Sequence, residues 1–130
     1  MMLEACLLVL LGGFCGGLAR FFVSGLVGRR IGETFPWGTL VVNVSGALLI
    51  GGLSGLARAA GGVFAGELFR DFLFVGLCGG YTTVSSFSLQ TLNLALGGER
   101  EPAMLYVILS AGLCVLAVAL GFWSVVAALR

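Results

Sequence analysis

The sequence predicts an all-α membrane protein, one transmembrane channel domain over residues 1–130 with four spanning helices. Charge is the first observation: 7 arginines or lysines and 6 acidic residues make 10% of the chain, against about 25% in ordinary globular proteins. Charge segregation is the second. Residues 5–19, 34–57, 72–98 and 102–129 hold no Asp, Glu, Lys or Arg, giving uncharged runs of 15, 24, 27 and 28 residues. Crossing a hydrocarbon core as a helix takes about 20 apolar residues. Three runs reach that length, and the first does so by continuing past Arg20 to Gly28. The third observation is an apolar share of 59% with 22 glycines and no histidine. Together these exclude a soluble enzyme, a nucleic-acid binder and a disordered tail.

Segment one (about 3–28) pairs Gly12 with Gly16 and Gly13 with Gly17, a small-xxx-small spacing that lets another helix approach closely in lipid. Residues 29–36 carry Arg29, Arg30, Glu33 and Pro36, a stop followed by a restart. Segment two (about 37–57) opens on interfacial Trp37 and holds a second close-packing pair, Gly51 and Gly55. In the connection 58–71, the spacing of Glu67, Arg70 and Asp71 predicts an interfacial helical turn. Segment three covers about 72–97, and a short turn ending at Pro102 precedes segment four, about 103–128. A bundle this small leaves little room for an internal pathway, which places functional sites between subunits.

Orientation is undetermined by charge. Arg58, Arg70 and Arg130 fall on the side of the termini, and Arg29, Arg30 and Arg100 on the other. Arginine and lysine asymmetry normally sets topology, so an even balance predicts insertion both ways. Cys6, Cys15, Cys78 and Cys114 lie inside apolar runs without CxxC or histidine, which predicts four buried free thiols serving as small apolar residues. The N-terminus lacks the basic start and cleavage pattern of a signal peptide.

Polar residues inside the spans are the informative ones, because lipid penalises them. Thr39 and Asn43 share one face of segment two. Tyr106, Ser110 and Cys114 follow each other at intervals of four along segment four. Each set fits either packing hydrogen bonds or the lining of a path. In segment three, Gly79-Gly80 followed by Thr82-Thr83-Val84 is poor helix material, so a break is expected near mid-membrane. Exposed carbonyls there need protein, a cavity or an ion, and the hydroxyls of Thr82, Thr83, Ser85, Ser86 and Ser88 can cap the restart. No span carries a central carboxylate, lysine or histidine, which disfavours proton coupling. Hydroxyl and amide hydrogens, and the positive ring edge of Phe87, suit a small anion.

Three stretches together resemble the CrcB/Fluc family of fluoride channels: Gly16-Gly-Leu-Ala-Arg20, Gly38-Thr-Leu-Val-Val-Asn43-Val-Ser-Gly46 and Gly79-Gly-Tyr-Thr-Thr-Val-Ser-Ser-Phe-Ser88. The resemblance spans the chain. It implies an antiparallel, dual-topology homodimer with two pores, in the cell inner (plasma) membrane in both orientations. It also implies a structural Na⁺ at the dimer centre, held by the carbonyls of Gly79 and Thr82. Asn43 and Thr39 would line the pore, Phe87 would present its edge to fluoride, and Ser85 and Ser88 would add hydroxyls. Tyr106 and Ser110 match the polar track of the fourth span, and Arg20 the arginine that assists anion access or packing. Three positions depart from the pattern: Val84 stands for a phenylalanine, Gln90 for a glutamate and Cys114 for a hydroxyl residue. The implied activity is passive, fluoride-selective efflux that protects the cell from fluoride. The rivals are a small dual-topology drug exporter, whose expected carboxylate could only be Glu4, and a non-conducting structural subunit.

Overall fold

A computed structural model describes residues 2–130, and four stretches in it are long and apolar enough to cross a membrane. Helix α1 is Met2–Ile31, and it outruns its predicted end by three residues. Arg29 and Arg30 occupy its last turn, where positive side chains complement the carbonyl end of a helix. Gly32, at φ 103°, then turns the chain. Helix α2 is Trp37–Ala60, preceded by Pro36 and closed by Gly61 at φ 60°. A 3-10 turn, Gly62–Ala65, follows.

The third span is composite. It starts as α-helix at Glu67–Phe69, widens to π-helix over Arg70–Cys78 and returns to α over Gly79–Tyr81; residues 67–81 are α3 below. The wider ladder is visible where the Gly79 N–H reaches the Phe74 carbonyl five residues back. Thr82 (φ −76°, ψ 160°) and Thr83 (φ −151°, ψ 119°) are extended. Helix α4, Val84–Leu96, restarts at once, and α5, Arg100–Ala128, completes the bundle after the Gly98 turn.

Glycine faces decide which helices meet. Helix α1 packs chiefly on α3, and α2 chiefly on α5. A Cβ on Gly12 or Gly16 would run into the α3 backbone at Phe72 and Leu77, and one on Gly80 into Gly13. Gly17, its partner in the sequence pattern, has open space around it. The α2–α5 seam is equally tight, with Gly51 and Gly55 against the carbonyls of Val118 and Phe122, and Gly121 against Leu48. Close backbone approach is how helices gain contact in lipid, where no hydrophobic effect drives them together.

The buried interior is small: Leu40, Val42, Ala47, Cys78, Tyr106, Ala117 and Val126 carry most of it. Large apolar side chains point outward instead, Phe21 being 80% and Phe22 72% exposed. That inversion suits lipid as solvent and would be an aggregation surface in water. All four cysteines are free. Only Cys78 is buried among protein atoms, whereas Cys6 and Cys15 sit on the outer face of α1, so the expectation of four buried thiols is corrected there. The predicted turn at Glu67 forms, and Arg70 pairs with its neighbour Asp71 at 3.3 Å.

Candidate functional site

The two extended residues between α3 and α4 organise the site. A helix end leaves carbonyls without intrahelical donors, and a restart leaves N–H groups without acceptors. Both demands are met by side chains. The Thr83 hydroxyl caps α4 by accepting from the Ser86 N–H at 3.1 Å, and it also contacts the Ser85 and Ser86 hydroxyls at 3.1 Å. The Thr82 hydroxyl donates to the Cys78 carbonyl at 2.9 Å.

Asn43 on α2 brackets the gap. Its Oδ1 accepts from the Thr83 N–H at 2.8 Å, and its Nδ2 donates to the Thr83 carbonyl at 2.9 Å. One amide thus takes the Thr83 N–H, which has lost its helical acceptor, and adds a second donor to the carbonyl that starts the α4 ladder. Gly46, one turn further along α2, is tight against Tyr81 and Thr82 and gives the gap its room. The diverted donors have a consequence for two carbonyls. In a continuous helix the Thr83 N–H would bond Gly79 and the Ser86 N–H would bond Thr82. Here those N–H groups go to Asn43 and to the Thr83 hydroxyl.

A cavity of about 330 Å³ opens beside the gap, lined by Asn43, Thr82, Thr83, Val84, Phe87, Ser110 and Cys114 with four aliphatic neighbours from α2 and α5. The second amide hydrogen of Asn43 has no assigned acceptor, because its first goes to Thr83. Ser110 is buried, and its hydroxyl has no hydrogen-bond partner. Phe87 stacks at a tilt on Tyr106, centroids 5.3 Å apart, and Tyr106 meets Phe35 edge-on at 5.5 Å. The Tyr106 hydroxyl donates to Gln90 Oε1 at 3.1 Å. Gln90 in turn lines a polar vestibule with Thr39, Asn93, Glu33 and Glu99.

Arg20 lies elsewhere. It lines a groove of about 660 Å³ with Ser24, Thr39, Thr83 and Ser86, on the α1 side of the gap. Among the described residues no carboxylate pairs with it. Thr83 borders both this groove and the cavity of Phe87.

Of the residues expected at one site, Asn43, Val84, Phe87 and Ser110 come together, with Tyr106 against the Phe87 ring. Thr39 joins Arg20 instead. Ser85 and Ser88 do not line the cavity and are exposed on the outside of the monomer, and Val84 is 77% exposed. Gly79 is exposed as well. Sequence reasoning missed the Asn43–Thr83 bracket, the Tyr106–Gln90 bond and the π-helical segment. The polar Gln90 in an otherwise apolar span was the one mark of the second, since its Oε1 is the acceptor.

Fold and site define a class: a multi-pass helical membrane protein with polar side chains gathered beside the extended residues Thr82 and Thr83. The chain belongs to the family described as CrcB-like protein, Camphor Resistance (CrcB), which it matches over residues 7–122. It is 60% identical over 125 residues to "Fluoride-specific ion channel FluC 4" of Brucella abortus biovar 1 (strain 9-941), covering 96% of this chain and 94% of that one. It is 59% identical, with the same coverage, to "Fluoride-specific ion channel FluC 3" of Brucella suis biovar 1 (strain 1330). Similarity to "Fluoride-specific ion channel FluC 2" of Bradyrhizobium diazoefficiens is 51% over 92% of this chain and 88% of the relative.

Proposed function

We propose that this chain is a passive, fluoride-selective channel that lets F⁻ leave the cell down its electrochemical gradient. The observation that carries the reading is the convergence of Asn43, Phe87 and Ser110 on one cavity, in a chain whose relatives are named fluoride-specific channels. A small anion shedding water there would meet an amide hydrogen, an unpartnered hydroxyl and an aromatic edge. Weak donors of that kind permit both capture and release. Chloride is discriminated against because so narrow a path offers few donors to a larger ion. Arg20, unpaired in its groove, would raise the local concentration of anions by its field.

The working unit is an antiparallel, dual-topology homodimer in the inner membrane, with two pores. Its support is the polar surface left outside the monomer: Ser85, Ser88 and Gly79 are exposed on helices that lipid would otherwise surround. The interruption at Thr82 and Thr83 would then lie near mid-membrane, covered by the partner. A structural Na⁺ fits at the dimer centre, because the carbonyls of Gly79 and Thr82 are among those whose helical donors are diverted. Bound Na⁺ would supply fixed positive charge tying the two interruptions together, with each chain contributing two carbonyls.

The test is fluoride efflux from liposomes containing only this protein. A fluoride-electrode signal well above empty vesicles, with little chloride loss, is expected; efflux equal to empty vesicles would sink the reading. A drug exporter or a structural subunit would give no fluoride flux in the same assay.

A further inference from the structure

We propose that the outer groove between α4 and α5 holds one phospholipid with a zwitterionic, primary-ammonium headgroup, a phosphatidylethanolamine. The inference needs only the membrane-spanning helices and stands whatever ion the chain carries. The groove has a volume of about 480 Å³ and runs between Thr91 and Ala95 of α4 and one face of α5 from Arg100 to Ile108. It opens because α5 packs chiefly on α2 rather than on α4, and because small Ala95 and Ala103 line it where larger side chains would fill it.

The body of the groove suits an acyl chain. Thr91 carries the one hydroxyl among the lining side chains, and it donates to the Phe87 carbonyl at 2.8 Å. The remaining lining side chains beyond Arg100 are apolar, with Met104, Val107 and Ile108 exposed. From Arg100 to Ile108 a helix rises about 12 Å, close to the ~15 Å that one leaflet contributes to the hydrocarbon core. A chain can therefore lie along the groove from the interface inward while its headgroup stays at the start of α5.

Charge at that start selects the headgroup. Arg100 lines the groove, and Glu101 lies on the α5 face of Met104 and Ile108, three and seven residues on. Adjacent residues diverge around a helix, and among the described residues neither charge is in an ion pair. Glu99 lines the vestibule of Gln90 instead. The groove thus ends on one guanidinium and one carboxylate without partners. A guanidinium forks onto phosphate oxygens, and a primary ammonium brings N–H donors to the carboxylate. A glycerol headgroup would serve Arg100 and leave Glu101 without a cation, and a quaternary ammonium has charge but no donors. The α4 face that carries Ser88 continues into Thr91 and Ala95, so the lipid borders the surface proposed for a second copy. Paired charges at the interface with an aliphatic trough behind them follow the order of headgroup and chain in a phospholipid, which favours lipid as the occupant.

The experiment places the full chain in phosphatidylcholine vesicles with a trace of photoactivatable phosphatidylethanolamine, and maps adducts by peptide mass analysis after illumination. Adducts are expected at Ala95 and between Ala103 and Ile108. Unlabelled phosphatidylethanolamine should lower their yield about tenfold, a difference of about 1.4 kcal/mol, and phosphatidylglycerol should not. Arg100→Gln should lose the groove adducts, and Glu101→Gln should let phosphatidylglycerol compete as well. Ala95→Leu narrows the groove and keeps both charges, so groove adducts should fall while those on the outer face of α1 stay. Equal competition by the two lipids on the wild-type chain overturns the proposal, as do adducts spread evenly over the outer helix faces. So does the absence of adducts in the groove, the result expected where a second copy fills it. Fluoride flux is not a readout, so failure of the channel reading leaves this test intact.

Discussion

Asn43 does two jobs with one amide. Its carbonyl oxygen and one amide hydrogen close the backbone of Thr83, and its remaining hydrogen is available to the cavity. Asn43→Ala should therefore cost stability as well as flux, since the Thr83 N–H loses its partner at about 1–3 kcal/mol. Thermal unfolding in detergent checks this: a midpoint unchanged from wild type would mean the bracket does not hold the gap. Phe87 is expected to behave differently. Its ring leans on Tyr106 at 5.3 Å, so Phe87→Ile removes an aromatic pair worth about 0.5–1.5 kcal/mol and leaves the helices assembled. Fluoride efflux should nearly vanish while the helical circular dichroism stays; full efflux would remove Phe87 from the path. At this scale the sequence showed which side chains were in the wrong solvent but not their partners. Asn43 is conspicuous in an aliphatic run, whereas Thr83 lies 40 residues away and only the fold brings the two together. Ser85 and Ser88 share the Phe87 motif, and helix geometry still carries them to the outside of the monomer.

Helices here are matched by glycine, and the matching is only half visible in sequence. Gly12/Gly16 and Gly13/Gly17 have the same spacing, so pattern alone assigns them equal weight. Register separates them: Gly16 is pressed on Leu77 and Tyr81 of α3, while Gly17 opens onto the Arg20 groove. Gly16→Ala should thus destabilise by about 1–3 kcal/mol, the usual cost of overpacking, and Gly17→Ala should stay within about 0.5 kcal/mol. Equal losses in the two variants' detergent melting midpoints would contradict this packing. The spans were legible because charge and length reveal them without any knowledge of partners. Thr82 and Thr83 are extended in segment three, where glycine and β-branched threonine lower helix stability locally. The π-helical stretch Arg70–Cys78 was not legible. Nine apolar-rich residues are too few for their pattern to separate a wider helix from an ordinary one.

At the scale of the whole molecule, an outer surface and a charge balance point the same way. Four antiparallel spans carry Arg29, Arg30 and Arg100 to one end and Arg58, Arg70 and Arg130 to the other. With three against three, neither orientation is favoured by the loops. A chain left as a monomer would have to pack its exposed Gly79, Ser85 and Ser88 against lipid, where polar groups are costly. Two copies in opposite orientations, as proposed, would cover the same surface about a two-fold axis and would bring each Gly79 near its counterpart. Both the balance and the surface are then explained by one arrangement. The proposed ion at that axis would be held by the Gly79 and Thr82 carbonyls, a claim separable from the Thr82 hydroxyl, which donates to Cys78. Thr82→Val, which removes the hydroxyl and keeps the carbonyl, should leave sodium-dependent thermal protection of the purified protein intact, and its loss would move the site to the side chain. Orientation itself is read by fusing the C-terminus to reporters that work on only one side of the membrane. Both reporters should be active at comparable levels. Activity on one side alone would mean that something other than the arginine count sets topology, and the antiparallel pair would have to be abandoned with it.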